Sequence, residues 1–379
     1  MDKMKRFIDI YIPTETCNLR CYYCYVAQKR KFNAKLAKFS HTPAEIREAL
    51  SQKRLGGACL LNLCAGGETL LSEDVLPVVK ELLTEGHYVM IVTNGTLTNR
   101  FEEVATWPKE LLARLFFKFS FHFLEMKRLG WIDRFADSVQ RVKAAGASFT
   151  VEVTPSDELI PYIDELKETC LEKFGALCHL TIARDDRTGG IDILSAHSFD
   201  EYKRIWGQFD SALFDLKCNL YHRKISEFCY AGEWSAYLNL ETGRLAQCYC
   251  GQQIDNIYEN VDKPIHFKAV GKHCSLPYCY NGHAFLALGD VPGIDTVTYA
   301  DTRNRVCKDE SEWLKPEMKE FMSFKLKDNN KEYTSLRIAL GGWKRCNKKQ
   351  PGRRKQFSDG CSKYSNLHMF LDSCFIEAA

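Results

Sequence analysis

Three cysteines lie within eight positions near the start of the chain, in the stretch CNLRCYYC at residues 17–24. Thiolates at such close spacing are suited to holding a metal, but Cys17, Cys21 and Cys24 lack a fourth partner, because no further Cys or His follows until His41. The spacing allows two interpretations. The trio is either half of a zinc or disulfide framework, or a three-thiolate mount for an iron–sulfur cluster with one iron left open.

Composition narrows the class of protein. Of the 379 residues, 45% are hydrophobic and 27% are charged, and the formal net charge is +3, as is ordinary for a globular protein. This weak charge argues against a nucleic-acid partner, and no stretch reaches the roughly 20 apolar residues of a membrane helix. The N-terminus also lacks the apolar region and cleavage site of a signal peptide. We therefore expect a cytoplasmic protein.

The cysteine content is unusually high, at 17 residues. Disulfides are rare in a reducing compartment, and an odd total argues against a fully paired framework, so clustered cysteines favour metal binding or catalysis. Other cysteines lie singly in apolar segments, where a free thiol is most often a small core residue. These are Cys59, Cys64, Cys170, Cys178 and Cys218.

Short apolar runs alternate with amphipathic segments over the first 215 or so residues. The apolar runs are typical of strands buried on both faces of a parallel sheet, and the amphipathic segments predict helices between them. The predicted strands are 7–13, 58–64, 88–94, 115–122, 148–153 and 177–183, and the predicted helices are 42–52, 72–86, 131–146, 156–175 and 198–217. Six strands that alternate with helices predict an α/β fold, a partial (β/α)6 TIM-like barrel with parallel strands.

Polar and reactive residues come directly after these strands. The cysteine trio follows the first strand, GGET (66–69) follows the second, and Asn94 follows the third. Ser120 and His122 end the fourth strand, and Arg184 follows the sixth. Because the carboxyl ends of parallel strands meet at one rim, where the chemistry of such folds collects, we expect these residues to share one site.

At this point a family resemblance can be stated. CNLRCYYC resembles the Cys-x3-Cys-x-aromatic-Cys signature of the radical S-adenosylmethionine (radical SAM) superfamily, and GGET resembles its Gly-Gly-Glu motif. The resemblance covers about residues 7–220 and implies that Cys17, Cys21 and Cys24 hold a [4Fe–4S] cluster whose open iron chelates SAM. In the implied reaction, one electron from the reduced cluster cleaves the SAM sulfonium to methionine and a 5′-deoxyadenosyl radical, and the radical abstracts hydrogen from a substrate. The electron would come from a donor such as flavodoxin or ferredoxin.

The resemblance also implies contacts to the methionine part of SAM. Gly66 and Gly67 would allow its close approach, since glycine has no Cβ to intrude. Glu68 would pair with the SAM ammonium through a charge-assisted hydrogen bond. A plainer interpretation of Glu68 stays open, namely a carboxylate at a helix N-terminus.

Further implied contacts concern the nucleoside and the carboxylate of SAM. Tyr23 would lie along the adenine, and Ser120 would bind the ribose or the carboxylate, although SFHF replaces the family's Ser-x-Asp-Gly here. Asn94 would help to hold the nucleoside, or is simply a turn residue before a glycine. The SAM carboxylate needs a cation, for which Arg128 and Arg184 are the candidates.

A second group of cysteines follows residue 220. Residues 228–252 predict a β-hairpin, and the spacing Cys229-x13-Gly243-x4-Cys248 resembles the opening of the SPASM/twitch extension of radical SAM enzymes. That resemblance implies an auxiliary Fe–S cluster, with Cys250 able to substitute for Cys248, while a zinc ribbon remains the alternative. The implied ligands are Cys229, Cys248, Cys274 and Cys279.

These features predict three parts of the chain: a radical SAM core over 1–220, a SPASM/twitch-like domain over 221–310, and a basic extension over 311–379. In residues 299–307, two arginines accompany Asp301 and form either an anion clamp or, as we favour, a solvated helix start. The run 344–355 holds seven Lys and Arg residues and predicts a surface loop rather than a contact for an acidic partner.

The resemblance to SPASM-type enzymes favours a peptide or protein side chain or backbone as the substrate. The alternative is a small molecule, such as a sugar, an aminoglycoside or a nucleotide, on which the enzyme would act as an oxidoreductase or epimerase. A non-catalytic Fe–S electron-transfer protein is a third class. The Gly-Gly-Glu motif argues against it, since an electron carrier has no use for a SAM site.

Overall fold

A parallel sheet forms the centre of the computed structural model, which describes residues 3–187, 192–224, 227–272, 274, 279, 293–294 and 297–338. The first six strands are β1 (Arg6–Ile12), β2 (Cys59–Ala65), β3 (Tyr88–Thr93), β4 (Leu115–Ser120), β5 (Ser148–Val153) and β6 (His179–Leu180). They lie in chain order across the sheet, and every neighbouring pair is parallel. This order, with helices between the strands, confirms the predicted partial (β/α)6 architecture.

The strands are buried on both faces, as their apolar sequences predict. Every residue of β2, β3, β4 and β5 is buried. On β1, Ile8 belongs to the core between the sheet and its helices, whereas Phe7 belongs to a separate core on the inner face. The alternation of side chains along a strand therefore separates a helix-facing core from an inner one.

Helices connect the strands on the outer side. Their bounds are α1 (Tyr25–Gln28), α2 (Pro43–Ala49), α3 (Gln52–Leu55), α4 (Val75–Thr84), α5 (Thr98–Ala105), α6 (Lys109–Leu112), α7 (Phe123–Leu129), α8 (Ile132–Ala145), α9 (Ile163–Phe174), α10 (Phe199–Trp206), α11 (Ala212–Leu220) and α12 (Pro316–Met322). The α2 helix begins as predicted, because Thr42 and Glu45 form a reciprocal capping box around Pro43.

Four predicted helices have different bounds in the structure, the first being 42–52, which ends at Ala49 before a separate helix begins at Gln52. The segment 156–175 starts as a 3₁₀ turn and becomes α-helical only after Pro161, which lacks the N–H that an α-helical hydrogen bond needs. The segment 198–217 is two helices, separated by Asp210 in a left-handed conformation (φ 47°). The α4 helix starts after the predicted Ser72, whose hydroxyl instead donates to the Ala37 carbonyl at 3.0 Å.

The sixth strand is shorter than predicted. Only two residues of β6 pair with β5, opposite Glu152 and Val153. Further along, the backbone N–H of Ala183 donates to the Tyr202 hydroxyl at 3.1 Å rather than to a strand. The Tyr202 side chain of α10 thus replaces the last hydrogen bond that β6 would make to a neighbouring strand. No local pattern in 177–183 predicts this replacement.

The predicted hairpin is present and extends the barrel sheet. It consists of β7 (Ser235–Asn239) and β8 (Arg244–Ala246), which are antiparallel, with Gly243 in the left-handed region (φ 71°). A further strand, β9 (Gln253–Asn256), pairs with β8. The β7 strand lies parallel to β1, with Phe7 opposite Ser235. The sheet therefore has nine strands in the order β6-β5-β4-β3-β2-β1-β7-β8-β9.

Residues 299–326 cover the inner face of the sheet. Tyr299, Leu314 and Phe321 pack in the inner core with Phe7. The expectation of a solvated helix start over 299–307 was wrong, because Arg303 is only 4% exposed and its guanidinium forms an ion pair with Glu152 inside the barrel. The run 344–355 lies outside the described residues.

None of the helices in the described ranges combines the length and apolar character that crossing a bilayer requires.

Candidate functional site

The three N-terminal cysteines surround one cavity at the carboxyl ends of the parallel strands. The Cys24 N–H donates to the Cys21 carbonyl at 3.1 Å, which closes a turn directly before α1. The cavity holds about 510 Å³ of space, its open mouth included. Its lining is Cys17, Leu19, Cys21, Cys24, Val26, Phe32, Cys64, Ala65, Gly66, Gly67, Glu68, Val92, Thr93, Asn94, Ser120 and His122.

The three thiols line one cavity together. Three thiolate donors around a shared space are a donor set that fits a multi-atom iron–sulfur centre.

Burial controls the protonation of these thiols. Burial, with a smaller contribution from the neighbouring Glu68 carboxylate, raises the pKa of Cys17 to about 12. Burial also raises the pKa values of Cys21 and Cys24, and at Cys21 the neighbouring thiols add to the effect. Two donors favour the thiolate of Cys17: the Leu19 N–H at 3.4 Å and the Asn94 amide at 3.8 Å. The thiols are therefore protonated at neutral pH unless a bound cation compensates their charge.

The Gly-Gly-Glu motif lies directly against the chain that leads into Cys17. The Gly67 N–H donates to the Thr14 carbonyl at 2.7 Å, and the Glu68 N–H donates to the Thr16 carbonyl at 2.9 Å. A Cβ atom at Gly67 would lie 2.0 Å from the Thr16 carbonyl oxygen, and one at Gly66 would lie 2.7 Å from that of Thr14. Both glycines are thus required for the close approach of two backbone segments.

The Glu68 side chain joins the ends of β2 and β3. It is 2% exposed, and its carboxylate accepts hydrogen bonds from the Thr93 hydroxyl at 2.7 Å, the Asn94 N–H at 2.7 Å and the Leu70 N–H at 3.0 Å. Burial raises the pKa of this carboxyl group, while the three hydrogen bonds lower it. The structure therefore places Glu68 in the cavity wall, with its orientation set by neighbouring donors.

Asn94 connects the third strand to the cysteine loop. Its amide nitrogen donates to Asn18 at 2.8 Å as well as to Cys17, and its carbonyl oxygen accepts from the Thr96 hydroxyl at 2.7 Å. Asn94 therefore stabilises the turn after β3 and also donates a hydrogen bond to the Cys17 sulfur. Two further residues of this network occupy no specified position of a sequence motif: the Asn18 amide donates to the Thr96 hydroxyl at 2.7 Å.

Tyr23 contacts His122, which the sequence places at the same rim without assigning it a contact to SAM. The Tyr23 hydroxyl and His122 Nδ1 lie 2.8 Å apart, and His122 lines the cavity beyond Ser120, which is 4% exposed. Burial lowers the pKa of His122 to about 4, so its ring is neutral at pH 7. The position of His122 at the end of β4 predicted that it shares the site, and the structure places it in the cavity lining.

The two candidate arginines lie apart from the trio. Neither is found among the described residues that line the cavity. Arg128 is 63% exposed and bonds Glu125 through two nitrogens, at 2.8 and 2.9 Å. Glu125 in turn accepts the backbone N–H of Arg20 within the cysteine loop at 3.2 Å. The carbonyl of Arg184 accepts from Gln28, at the end of α1, at 3.0 Å.

The second group of cysteines is distributed over loops beside the hairpin. The backbone of Cys229 forms an isolated antiparallel β-bridge with Gly271, and burial raises the pKa of the Cys229 thiol to about 11. Burial also raises the pKa of Cys248 to about 12, with additional contributions from the thiols of Cys229, Cys250 and Cys274. The thiols of Cys229, Cys250 and Cys274 therefore lie near Cys248, and Cys229 and Cys279 both pack against Leu220 at the end of α11.

The single cysteines fall in the core as predicted: Cys59, Cys64, Cys170, Cys178 and Cys218 are all buried. Cys64 differs from the other four because it also lines the cavity.

Comparison with known proteins gives a family match for part of the N-terminal region. Residues 11–118 match the family model described as the radical SAM superfamily, so this region is a radical SAM superfamily domain. This match confirms the predicted superfamily for the N-terminal region, while the SPASM/twitch subfamily stays a prediction. The family implies a [4Fe–4S] cluster and SAM as cofactors, and the thiol-lined cavity fits them.

Two curated relatives share part of this region, and both are 7-carboxy-7-deazaguanine synthases. The protein from Aquifex aeolicus (strain VF5) is 31% identical over 88 residues, which are 23% of this chain and 36% of the relative. The protein from Thermoplasma acidophilum is 31% identical over 91 residues, which are 24% of this chain and 39% of the relative. The chain thus spans under two fifths of the length of these relatives.

Two solved structures resemble the chain more broadly but at low sequence identity. Streptococcus suis SuiB bound to S-adenosylmethionine is 15% identical, with a TM-score of 0.49, over 69% of this chain and 65% of SuiB. Native anSMEcpe with bound AdoMet is 14% identical, with a TM-score of 0.45, over 67% of this chain and 79% of that protein.

Proposed function

We propose that this protein is a radical SAM enzyme whose [4Fe–4S] cluster is held by Cys17, Cys21 and Cys24. One observation carries the proposal: three thiols ring a single cavity at the rim of a partial barrel, within the region that matches the family model. When bound, the cluster and SAM supply one-electron cleavage of SAM and hydrogen abstraction from the substrate.

The protein's own residues would position these groups and exclude water. The Gly67–Thr14 and Glu68–Thr16 backbone bonds orient the chain that carries Cys17, and the Asn94 amide donates to the Cys17 sulfur. Apolar side chains in the cavity wall, including Val26 and Val92, lower the local water content.

Individual SAM contacts are part of the proposal. Gly66, Gly67 and Glu68 take the methionine part, because all three lie in the cavity wall beside Cys17. Tyr23, Asn94 and Ser120 take the nucleoside, with Tyr23 oriented by the neutral His122. The cation for the SAM carboxylate is Arg128 or Arg184; the cysteine-loop contacts of Gln28 favour Arg184, because Gln28 also donates to the Tyr23 carbonyl at 2.7 Å.

An auxiliary Fe–S cluster is proposed for the second group of cysteines. Its ligands are Cys229, Cys248, Cys274 and Cys279, with Cys250 as the substitute for Cys248. Two observations support this set: the thiols of Cys229, Cys250 and Cys274 lie near enough to Cys248 to raise its pKa, and Cys229 and Cys279 pack against the same residue, Leu220. Reduction of the SAM-binding cluster would require a low-potential donor such as flavodoxin or ferredoxin.

The first candidate substrate is a peptide or protein, and the reaction a modification of a side chain or the backbone. The cysteine spacing around Gly243 supports this assignment through its resemblance to the SPASM/twitch extension. A small molecule is the second candidate, and the names of the two curated relatives, which are synthases of a deazaguanine compound, favour it.

The test is anaerobic reconstitution with iron and sulfide, followed by addition of dithionite and SAM. We expect 5′-deoxyadenosine and about eight iron atoms per chain, four for each cubane. Incubation with deuterated peptides or small molecules identifies the substrate class by transfer of deuterium into 5′-deoxyadenosine. A reduced, iron-loaded protein that leaves SAM intact would instead be an electron-transfer protein. Colourless zinc bound to Cys17, Cys21 and Cys24 would exclude both a radical SAM enzyme and an electron-transfer protein.

A further inference from the structure

The segment that carries the cysteine trio concentrates positive charge. Residues 16–44 contain six of the 52 Lys and Arg residues of the chain and none of its 49 Asp and Glu residues. The formal charge of this segment is thus twice the net charge of +3 of the whole chain. So uneven a distribution indicates a surface that attracts a partner of opposite charge. The six cationic residues are Arg20, Lys29, Arg30, Lys31, Lys35 and Lys38.

Hydrogen bonds hold the second half of this segment beside the trio. The Thr14 and Thr16 hydroxyls each donate to the Lys35 carbonyl at 2.8 Å, and Thr16 directly precedes the first cysteine of the trio. The Ser72 hydroxyl, beyond the Gly-Gly-Glu motif, donates to the Ala37 carbonyl at 3.0 Å. These bonds use backbone carbonyls, so they hold the loop in place without its lysine side chains.

Four of the cations are exposed, and together we call them the basic surface: Arg20, Arg30, Lys35 and Lys38. Among the described residues, no carboxylate forms an ion pair with Arg30, Lys35 or Lys38. Carboxylates at the edge of the segment are already bonded. Glu15 and Asp74 accept hydrogen bonds from the segment itself, at 3.1 and 3.3 Å, and Glu125 pairs with Arg128. The basic surface thus keeps an excess of positive charge.

The basic surface adjoins the trio but does not face the interior of the cavity. The Arg20 Cζ atom lies 4.3 Å from the ring centroid of Phe32, a residue of the cavity wall. Cys17 and Cys24 are partly exposed, and Tyr22, between the ligands, is 44% exposed. In the part of the chain that the structure describes, none of the six cations lines the cavity. They are therefore placed for a partner outside the cavity rather than for a substrate within it.

We propose that the basic surface is the docking site for an acidic one-electron carrier protein that reduces the cluster at the trio. This inference rests on the proposed function and adds the surface on which the electron donor binds. One electron leaves the reduced carrier and enters the cluster, so the carrier is oxidised and the cluster is reduced by one electron, and no bond forms or breaks. Complementary charge speeds such an encounter, and a small contact allows the oxidised carrier to leave. The partly exposed thiols beside the surface favour a redox partner over another polyanion.

The test follows the oxidation of the hydroquinone of a flavodoxin of net negative charge by the reconstituted full chain with SAM. Stopped-flow absorbance under anaerobic conditions gives the rate constant. Lys35→Glu/Lys38→Glu should lower it about tenfold, since charge complementarity governs the association rate. Lys53→Glu/Lys109→Glu is the matched control and should leave it unchanged. These two lysines are exposed on α3 and α6, which directly precede β2 and β4 and therefore lie at the opposite end of the sheet.

Further comparisons protect the test against a folding defect. Lys35→Arg/Lys38→Arg keeps the charge and should keep the rate constant. Photoreduced 5-deazariboflavin, which needs no docking surface, should reduce every variant at an equal rate. In the unaltered chain, raising the salt from about 0.05 M to about 0.5 M should slow the flavodoxin reaction, because salt screens exposed charges. A rate constant that does not depend on salt, or equal slowing in both charge-reversal variants, would overturn the proposal.

A nucleic acid is another partner that a basic surface fits. The same variants therefore also serve in a binding measurement with a single-stranded RNA. If Lys35→Glu/Lys38→Glu weakens RNA binding but leaves the flavodoxin reaction unchanged, the surface binds nucleic acid and the proposal fails.

This outcome is separable from that of the proposed function, which depends on 5′-deoxyadenosine formation by the unaltered protein. If 5-deazariboflavin drives 5′-deoxyadenosine formation but the flavodoxin reaction does not depend on the basic surface, only the docking site is lost. If the flavodoxin reaction depends on the basic surface while SAM stays intact, the docking site stands and the radical SAM assignment fails.

Discussion

The two cysteine-bearing regions of this molecule differ in what holds their thiols. Cys17, Cys21 and Cys24 follow a buried central strand, and the chain before them is hydrogen bonded to the Gly-Gly-Glu segment after β2. Cys229 and Cys248 lie on loops around a hairpin, and Cys274 is exposed. Strand ends in a parallel sheet therefore bring ligands together through the backbone, whereas loop ligands depend on side-chain and metal contacts.

The two regions are nevertheless connected. The β7 strand of the hairpin pairs with β1, and Tyr249 and Cys250 belong to the same cluster as Cys24. The hairpin thus completes the wall of the barrel beside the cavity. An extension that was expected to carry its own cluster also contributes to the interior of the core.

The largest expected effect comes from removing a ligand in the first region. Cys21→Ser replaces a thiolate with a poor ligand for iron, so we expect the loss of about four iron atoms per chain and no 5′-deoxyadenosine. Cys59→Ser is the matched control, because Cys59 is buried on β2 and does not line the cavity. Full iron content in Cys21→Ser would mean that the trio does not hold a cluster.

The second expected effect tests whether the backbone contact, rather than the thiols alone, makes the first region a site. Gly67→Ala would place a Cβ atom 2.0 Å from the Thr16 carbonyl, so the chain before Cys17 must move. We expect 5′-deoxyadenosine formation to fall about 100-fold, as misplaced catalytic groups do. Gly207→Ala has no atom within 4 Å of the added Cβ and should retain activity. Equal activity in both variants would contradict the role of the contact.

Iron content tests whether the region around the hairpin holds a cluster, although its candidate ligands lie on loops rather than at strand ends. Cys248→Ala should remove about four iron atoms while SAM cleavage persists, because the N-terminal trio is intact. Cys250→Ala, two residues away, is the comparison variant. If only Cys250→Ala loses iron, Cys250 rather than Cys248 is the ligand. Full iron content in both variants would mean that the extension holds no cluster.

The pH dependence of the free energy of unfolding tests how firmly β6, at the end of the barrel, is joined to residues 299–326, which cover the inner face of the sheet. His179 bonds Ser211 at 3.2 Å and the Asn304 carbonyl at 3.0 Å, and burial lowers its pKa to about 3. An unfolded histidine binds its proton near pH 6.5, so the free energy of unfolding falls as pH drops below that value.

The slope from His179 is at most about 1.4 kcal/mol per pH unit. Urea denaturation at pH 7.5 and pH 5.5 should therefore show a smaller loss of stability between these pH values in His179→Gln than in the unaltered chain. The same substitution at His222, which is 36% exposed, is the control. An unchanged loss in His179→Gln would mean that the histidine is not held neutral.

The smallest expected effect concerns Arg128. Its guanidinium pairs with Glu125 at the surface, where ion pairs contribute about 0–1 kcal/mol. Arg128→Ala should thus change the SAM dissociation constant, measured by equilibrium dialysis, by less than about threefold. Arg184→Ala, the other candidate for the SAM carboxylate, should weaken SAM binding more. The reverse order would assign the carboxylate to Arg128.

The sequence by itself determined the parallel strand order, the strand-end position of the reactive residues, the α2 cap at Thr42 and the turn at Gly243. Each of these depends on local chemistry: apolar runs, a capping box, or a left-handed glycine. Helix bounds were predictable only in part, because Pro161 and the Asp210 break interrupt otherwise helical patterns.

Only the tertiary structure decided which groups meet. It placed β7 beside β1, enclosed Arg303 with Glu152, and brought His122 to Tyr23. The Tyr249 hydroxyl reaches Asp9 across 240 positions of sequence. Contacts at such separation follow from how packed layers exclude water and satisfy buried polar groups, and no periodicity or short motif encodes that outcome.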